Sequence, residues 1–295
     1  MAGAATPSRP SPLTRAMTLL ARWAPAIPLL LLVALFLVAP IITLLIQAFW
    51  VKGAPSLALW GQVLGRASNQ DAILTSVELG IACASVTTLI GAPVAWLISR
   101  MFAGHRAFWL GLLNVAANFG GIGLAFAYLA TLGAVGMFTL AVQGLGLAFD
   151  PPRSSSVAAL LLAYLYTNIP LFVLLTIPAM SILHDDWWEA AQVASATRWQ
   201  FWRRVGLPIL TPFIAAGWLL IFTWTIGIYG IAYGLAGQSG GTAARLITLQ
   251  IGSVLQSDVI SGTGQAAILS VVLLAIAVVS LVSYRLLLRR AVRWL

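Results

Sequence analysis

Few side chains in this sequence have the chemistry of a reacting group, and their spacing limits what they could do. Ser239 lies in Gly237-Gln-Ser239-Gly-Gly241, a small-residue turn of the kind that presents a serine nucleophile. Such a serine needs a base within hydrogen-bond reach. The two histidines, His105 and His184, fall at the opposite end of the apolar runs from Ser239. An intramembrane serine protease using Ser239 would therefore lack its base, and a flexible turn accounts for the motif. Two histidines and one cysteine, Cys83, make neither a disulfide framework, a haem bundle nor a convincing metal site. Cys83 reads as a small buried hydrophobe. Asp185 and Asp186 are adjacent, so on a helix they face different directions and serve better as caps than as an acid/base pair. The one lysine, Lys52, is in no Gly-x-x-x-x-Gly-Lys-Ser/Thr loop, so the chain supplies no ATPase site of that kind. No catalytic residue, metal or cofactor is expected. Glu78 is the remaining candidate. It sits one turn inside an apolar run, where a carboxylate is costly unless paired or wet. It either borders a transport pathway or snorkels to the interface; in a stand-alone secondary transporter it would begin a proton or ion relay.

These residues are set in 295 residues that are 61% hydrophobic and 8% charged. A soluble domain carries about 25% charged residues, so this chain could not cover a soluble surface and belongs in a lipid bilayer. A net charge of +9 would ordinarily raise nucleic acid as a partner. Here the arginines stand at the ends of apolar runs, where membrane orientation explains them and no nucleic acid is needed.

The expected fold class is all-α and integral to the membrane: six transmembrane helices with both termini cytoplasmic. Residues 1–23 read as a flexible cytoplasmic tail, and 24–290 as the membrane domain. Spans are expected at about 27–50, 75–99, 107–133, 157–183, 209–235 and 265–287, each long enough for the roughly 20 residues a crossing needs. The first uncharged run is too long for a cleaved signal peptide, and Pro40 should kink it. The stretch 107–149 could hold one span or barely two. Charge decides: one extra crossing there would carry Arg198, Arg203, Arg204, Arg285, Arg289 and Arg290 to the outer side, against the positive-inside rule. The outer segments are then 50–75, 134–156 and 236–264, with an interfacial helix expected around 136–148. Spans three to five hold the polar residues that could line a pathway, Asn118, Asn168, Thr225 and Tyr229; ordinary interhelical hydrogen bonding explains the same four residues.

The segment 184–208 is polar, lies between two apolar runs, and still reads as helix. Asp186 with Glu189, and Thr197 with Gln200, each have the spacing of an N-terminal capping box. Two short helices are expected, to about Ala194 and from Arg198 to about Val205, before Pro208 opens the next span. Arg198, Arg203 and Arg204 mark the segment as cytoplasmic.

Within it, Glu189-Ala190-Ala191, then Ser195, then nine residues, then Val205-Gly206-Leu207-Pro208 resembles the EAA loop of binding-protein-dependent ABC importer permeases. That loop reads Glu-Ala-Ala, three residues, Gly, nine residues, Ile-x-Leu-Pro. Val205 for Ile is a mild departure. Ser195 for Gly matters more, because glycine suits a left-handed turn that serine adopts less readily. Either the turn is built differently, with Thr197 capping the second helix, or coupling is altered. Six spans with this loop between the fourth and fifth resemble the type I importer permease core. Glu78-Leu-Gly, Tyr166-Thr-Asn-Ile-Pro170 and the run from Tyr229 to Gly237 look like the subgroup of spermidine/putrescine permeases, with sulfate, iron, thiamine and phosphonate permeases near.

The resemblance implies a transporter subunit in a bacterial inner membrane, with ATP hydrolysis on a separate ABC ATPase subunit. Glu189, Ala190 and Ala191 would seat in a groove of that subunit, with Ser195, Val205, Leu207 and Pro208 completing the loop. It also implies a second permease subunit, a related chain or a copy, and a solute-binding protein on the outer face.

Overall fold

Where apolar residues run uninterrupted the backbone must bond within its own segment, and helix is the way a single segment does so in lipid. A computed structural model describes residues 26–51, 54–236, 245–257 and 262–292, and among them helix dominates. The expected tail at 1–23 and Ser239 lie outside the described residues. Two compact units are distinguished, 1–56 and 57–295.

The first unit holds α1 (Ile27–Phe49) and a short antiparallel ribbon in which Trp50 pairs with Pro55 and Val51 with Ala54. Within α1, residues Ala34–Val38 form a π turn, with the Ala39 N–H reaching back to the Ala34 carbonyl. Pro40 follows two residues later. A proline ring clashes with the carbonyl four residues back and removes a hydrogen bond; a wide turn just before it accommodates both.

The second unit runs α2 (Ala58–Leu64), α3 (Ala67–Ser99), α4 (Ala103–Asn118), α5 (Gly121–Leu132), α6 (Met137–Gly144), α7 (Val157–Met180), α8 (Asp185–Val193), α9 (Arg198–Gly227), α10 (Gly230–Ala236), α11 (Ile247–Ser257) and α12 (Gly262–Val292). Six helical stretches among the described residues are long and apolar enough to cross a membrane: 27–49, 67–99, 121–144, 157–180, 198–227 and 263–287. Their number is the expected one, but two differ in build. The third span expected at 107–133 is broken at Phe119–Gly120, so α4 and α5 are separate helices and the apolar stretch continues through α6. The fifth, expected at 209–235, starts at Arg198 and ends at Gly227, with α10 beyond a second break. The short helix expected at 198–205 is thus the first turns of α9, joined through a second π turn at Trp202–Gly206 that again ends two residues before a proline, Pro208.

The core is built on α3, α7 and α9. Near the Arg100 end of α3, Ala95 and Ile98 pack with Val173, Ile177, Met180 and Leu210. Toward its other end, Leu79 and Cys83 pack with Leu124, Tyr128, Tyr164, Ile231 and Leu235 from α5, α7 and α10. Lipid is as apolar as these side chains, so close fit rather than water exclusion drives association. Phe172 of α7 shows the fit: it is fully buried, and a Cβ on Gly91 of α3 or on Gly217 of α9 would come within 2.6 and 2.8 Å of its ring.

Candidate functional site

The segment after α7 is shaped by its ends. Asp185 and Asp186 occupy the first turn of α8, where their charges suit the helix dipole. The capping box expected from Asp186 and Glu189 does not form, because the helix begins two residues before that box requires, at Asp185, with His184 in the cap position. The second box does form: the Gln200 N–H donates to Thr197 Oγ1 at 3.3 Å, and the Thr197 N–H donates to Gln200 Oε1 at 2.9 Å.

Between them Ser195 takes φ 55°, the left-handed region. Its N–H donates to the Gln192 carbonyl and that of Ala196 to Ala191, each at 2.9 Å, which is a complete Schellman closure. The left-handed turn that a glycine would suit is therefore built with serine in it, and Thr197 caps the next helix as well. Glu189 and Ala190 are exposed on α8 and Ala191 is half-buried; Ser195 is exposed. Val205 is half-buried in the π turn, and Leu207 and Pro208 are exposed just after it. The aromatic residues hold the segment to the membrane helices. Trp188 meets buried Phe201 edge-on at 5.4 Å, and Trp202 meets Trp96 of α3 edge-on at 4.8 Å.

The residues proposed for a pathway do not form one set. Asn168 and Thr225 meet: Asn168 Nδ2 donates to Thr225 Oγ1 at 2.9 Å and to Cys83 Sγ at 3.2 Å, tying α7 to α9 and α3. All three are buried, which fits the interhelical-bond alternative. Asn118 ends α4 and donates to Asn114 on its own helix. Tyr229 lies in the second break and stacks on Tyr233 at 5.4 Å. Glu78 is exposed on α3, and neither ion pair among the described residues involves it.

Sequence reading missed the meeting of the two breaks. Gly121, at φ +68°, opens α5, and a Cβ on Gly230 would lie 3.0 Å from its Cα. The break at Ile228 leaves a carbonyl without a helical partner; Tyr164 and Thr248 hydroxyls donate to it at 3.3 and 3.4 Å, as non-helical backbone at membrane depth requires. Beside the breaks lies a cavity of about 550 Å³ lined by Ala117, Gly120, Gly121, Thr167, Thr223 and Trp224 among others. Its lining includes backbone and hydroxyl groups and no carboxylate.

Residues 81–293 match the model of a family described as "Binding-protein-dependent transport system inner membrane component". Among curated proteins, the chain is 29% identical over 220 residues to the molybdenum transport system permease protein ModB of Mycobacterium tuberculosis, covering 73% of this chain and 77% of that one. It is 28% identical over 216 residues to the sulfate transport system permease protein CysT of Salmonella typhimurium, covering 71% and 73%. A bacterial ABC transporter involved in import of the acidic polysaccharide alginate has the same fold: TM-score 0.70 at 18% identity, over 95% of this chain and 99% of that one. The expected likeness to polyamine permeases gains no support from these relatives.

Proposed function

The chain belongs to the family of binding-protein-dependent transport system inner membrane components, and on that premise we propose that it conducts a small oxyanion of the sulfate or molybdate class. It is a multi-pass inner-membrane permease subunit of an ABC importer, a transporter component and not itself an enzyme. The observation that carries the substrate class is the pair of relatives named for molybdenum and sulfate transport. The cavity beside the two helix breaks is compatible with it in one respect, that no carboxylate in its mostly apolar lining would repel an anion; the Thr167 and Thr223 hydroxyls there donate to carbonyls of their own helices. Glu78 then stands outside the pathway, and Asn168 and Thr225 bond helix to helix near it. Asn118 and Tyr229, at the two breaks, border the pathway.

The segment 184–208 couples the permease to ATP. Glu189, Ala190 and Ala191 on α8 seat in a groove of a separate ABC ATPase subunit, with Glu189 making a polar contact and the alanines keeping the helix narrow. Ser195 fixes the turn, and Val205, Leu207 and Pro208 carry the segment into α9. ATP binding and hydrolysis bias a two-state equilibrium between inward and outward access. A second permease subunit, related or identical, completes the pathway, and a solute-binding protein delivers the anion on the side opposite the coupling segment. Both termini lie on the coupling side.

The test is reconstitution of the complex in proteoliposomes with its ATPase subunit and binding protein. Radiolabelled molybdate or sulfate should accumulate in an ATP-dependent way, and spermidine should not. Uptake of spermidine with neither oxyanion would overturn the substrate class.

A further inference from the structure

Arg100 stands where α3 ends, and its guanidinium reaches into the coupling segment. One terminal nitrogen donates to Asp185 Oδ1 at the start of α8 and the other to the carbonyl of buried Leu183 just before it. The group lies over the Trp96 ring, with Cζ 4.2 Å from the ring centroid. Trp96 in turn meets Trp202 edge-on at the far end of the segment. One turn of α3 therefore grips both where the coupling segment begins and where it returns to the membrane. A cavity of about 290 Å³ lies between, walled by Trp96, Arg100, Trp188, Arg198 and Trp202 among others.

The covalent chain joins α8 to α7 and, through 194–197, to α9. It does not join α8 to α3. Yet α3 crosses the whole core, from the packing around Ala95 and Ile98 to that around Leu79 and Cys83 beside α5 and α10. We propose that Arg100 is a positioning residue for energy coupling: it latches α8 to α3, so that a displacement of α8 moves α3 with α7 and α9. A guanidinium suits this because its planar fork serves two acceptors while its face stacks on an aromatic ring. The Asp185 carboxylate is mostly exposed, with 78% of its side-chain surface accessible, and an ion pair at such a site adds little to folding stability. The Asp185 arm of the latch is thus separable from the fold, whereas the Arg100 side chain, 27% accessible, also bonds Leu183 and covers Trp96.

This inference rests on the permease reading, and the test keeps the two apart. Spin labels are placed at Phe102→Cys and Val193→Cys, whose native side chains are 86% and 89% exposed; the native Cys83 is buried and escapes labelling. The distance distribution in the purified full chain should be narrow in wild type and broad in Arg100→Gln. The unlabelled complex should keep its ATPase subunit and its ATP hydrolysis in Arg100→Gln, while solute moved per ATP falls on the order of tenfold, within the usual range of coupling between sites. A wild-type distribution, a wild-type transport stoichiometry, or loss of the ATPase subunit in Arg100→Gln overturns the latch. Should Arg100→Gln fail to fold, Asp185→Ala, which removes the acceptor, decides by the same readouts. If the wild-type chain binds no ATPase subunit, the permease reading fails, while the distance distribution still judges the latch.

Discussion

In the segment 184–208 the polar groups face outward: Glu189, Ser195, Arg203 and Arg204 are exposed, and the aromatic residues Trp188, Phe201 and Trp202 turn back to hold the segment. In the middle of α7 the arrangement is reversed. Asn168 is fully buried and donates its Nδ2 to Cys83 and Thr225, while its Oδ1 meets no partner among the described residues and the exposed side chains around it are apolar, such as Leu162, Tyr166 and Leu175. The contrast follows from the solvent. In water a polar group left open is hydrated at no cost and free to meet a partner; in lipid a donor gains most from a neighbouring helix, so polarity there ties helices together. A polar residue is therefore a better sign of contact with another protein in the first region than of contact with solute in the second.

The sharpest challenge to that contrast is Glu189→Lys. If the exposed face of α8 seats on the ATPase subunit, reversing its charge should weaken co-purification of that subunit by at least about thirtyfold, the effect of losing a contact worth about 2 kcal/mol; unchanged recovery would place the docking elsewhere. In the buried region, Gly217→Val should force Phe172 out of its seat and cost about 1–3 kcal/mol, read as a fall in detergent melting temperature with the ATPase contact untouched. Asn168→Ala is expected to cost about 1–2 kcal/mol by stripping two partners of their bond; a change in transport selectivity larger than the change in stability would return Asn168 to the pathway. The smallest effect has the opposite sign. Ser195→Gly should stabilise by roughly 0.5–1 kcal/mol, because the left-handed φ of 55° costs serine more than glycine, with docking left as it was.

The two regions also differed in how well the sequence disclosed them. The segment 184–208 was legible because its signals are local: Thr197 and Gln200 are three residues apart and form their box, and the Ser195 turn is closed by bonds to Gln192 and Ala191 within five residues. The Asp186 box failed by two residues: the helix starts from His184, which makes no side-chain cap bond, although Asp186 is the better cap by residue type. The broken helices were not legible. A glycine in an apolar run serves close approach as readily as a break, and what stabilises the break at Ile228 is a hydroxyl from Tyr164, 64 residues away. Nor could Arg100 be paired with Asp185 across 85 residues; by sequence alone it was a charge at the end of a span. Six apolar stretches followed from composition, whereas where each one bends depends on neighbours the sequence does not bring together.

Phe172 has a consequence for motion. A ring seated between a notch on α3 and a notch on α9 works as a cog between two racks. A lengthwise slide of α3 or α9 past α7 would bring the side chains that flank Gly91 or Gly217 against the ring, so a tilt or rotation of the three helices together is the movement that disturbs this packing least.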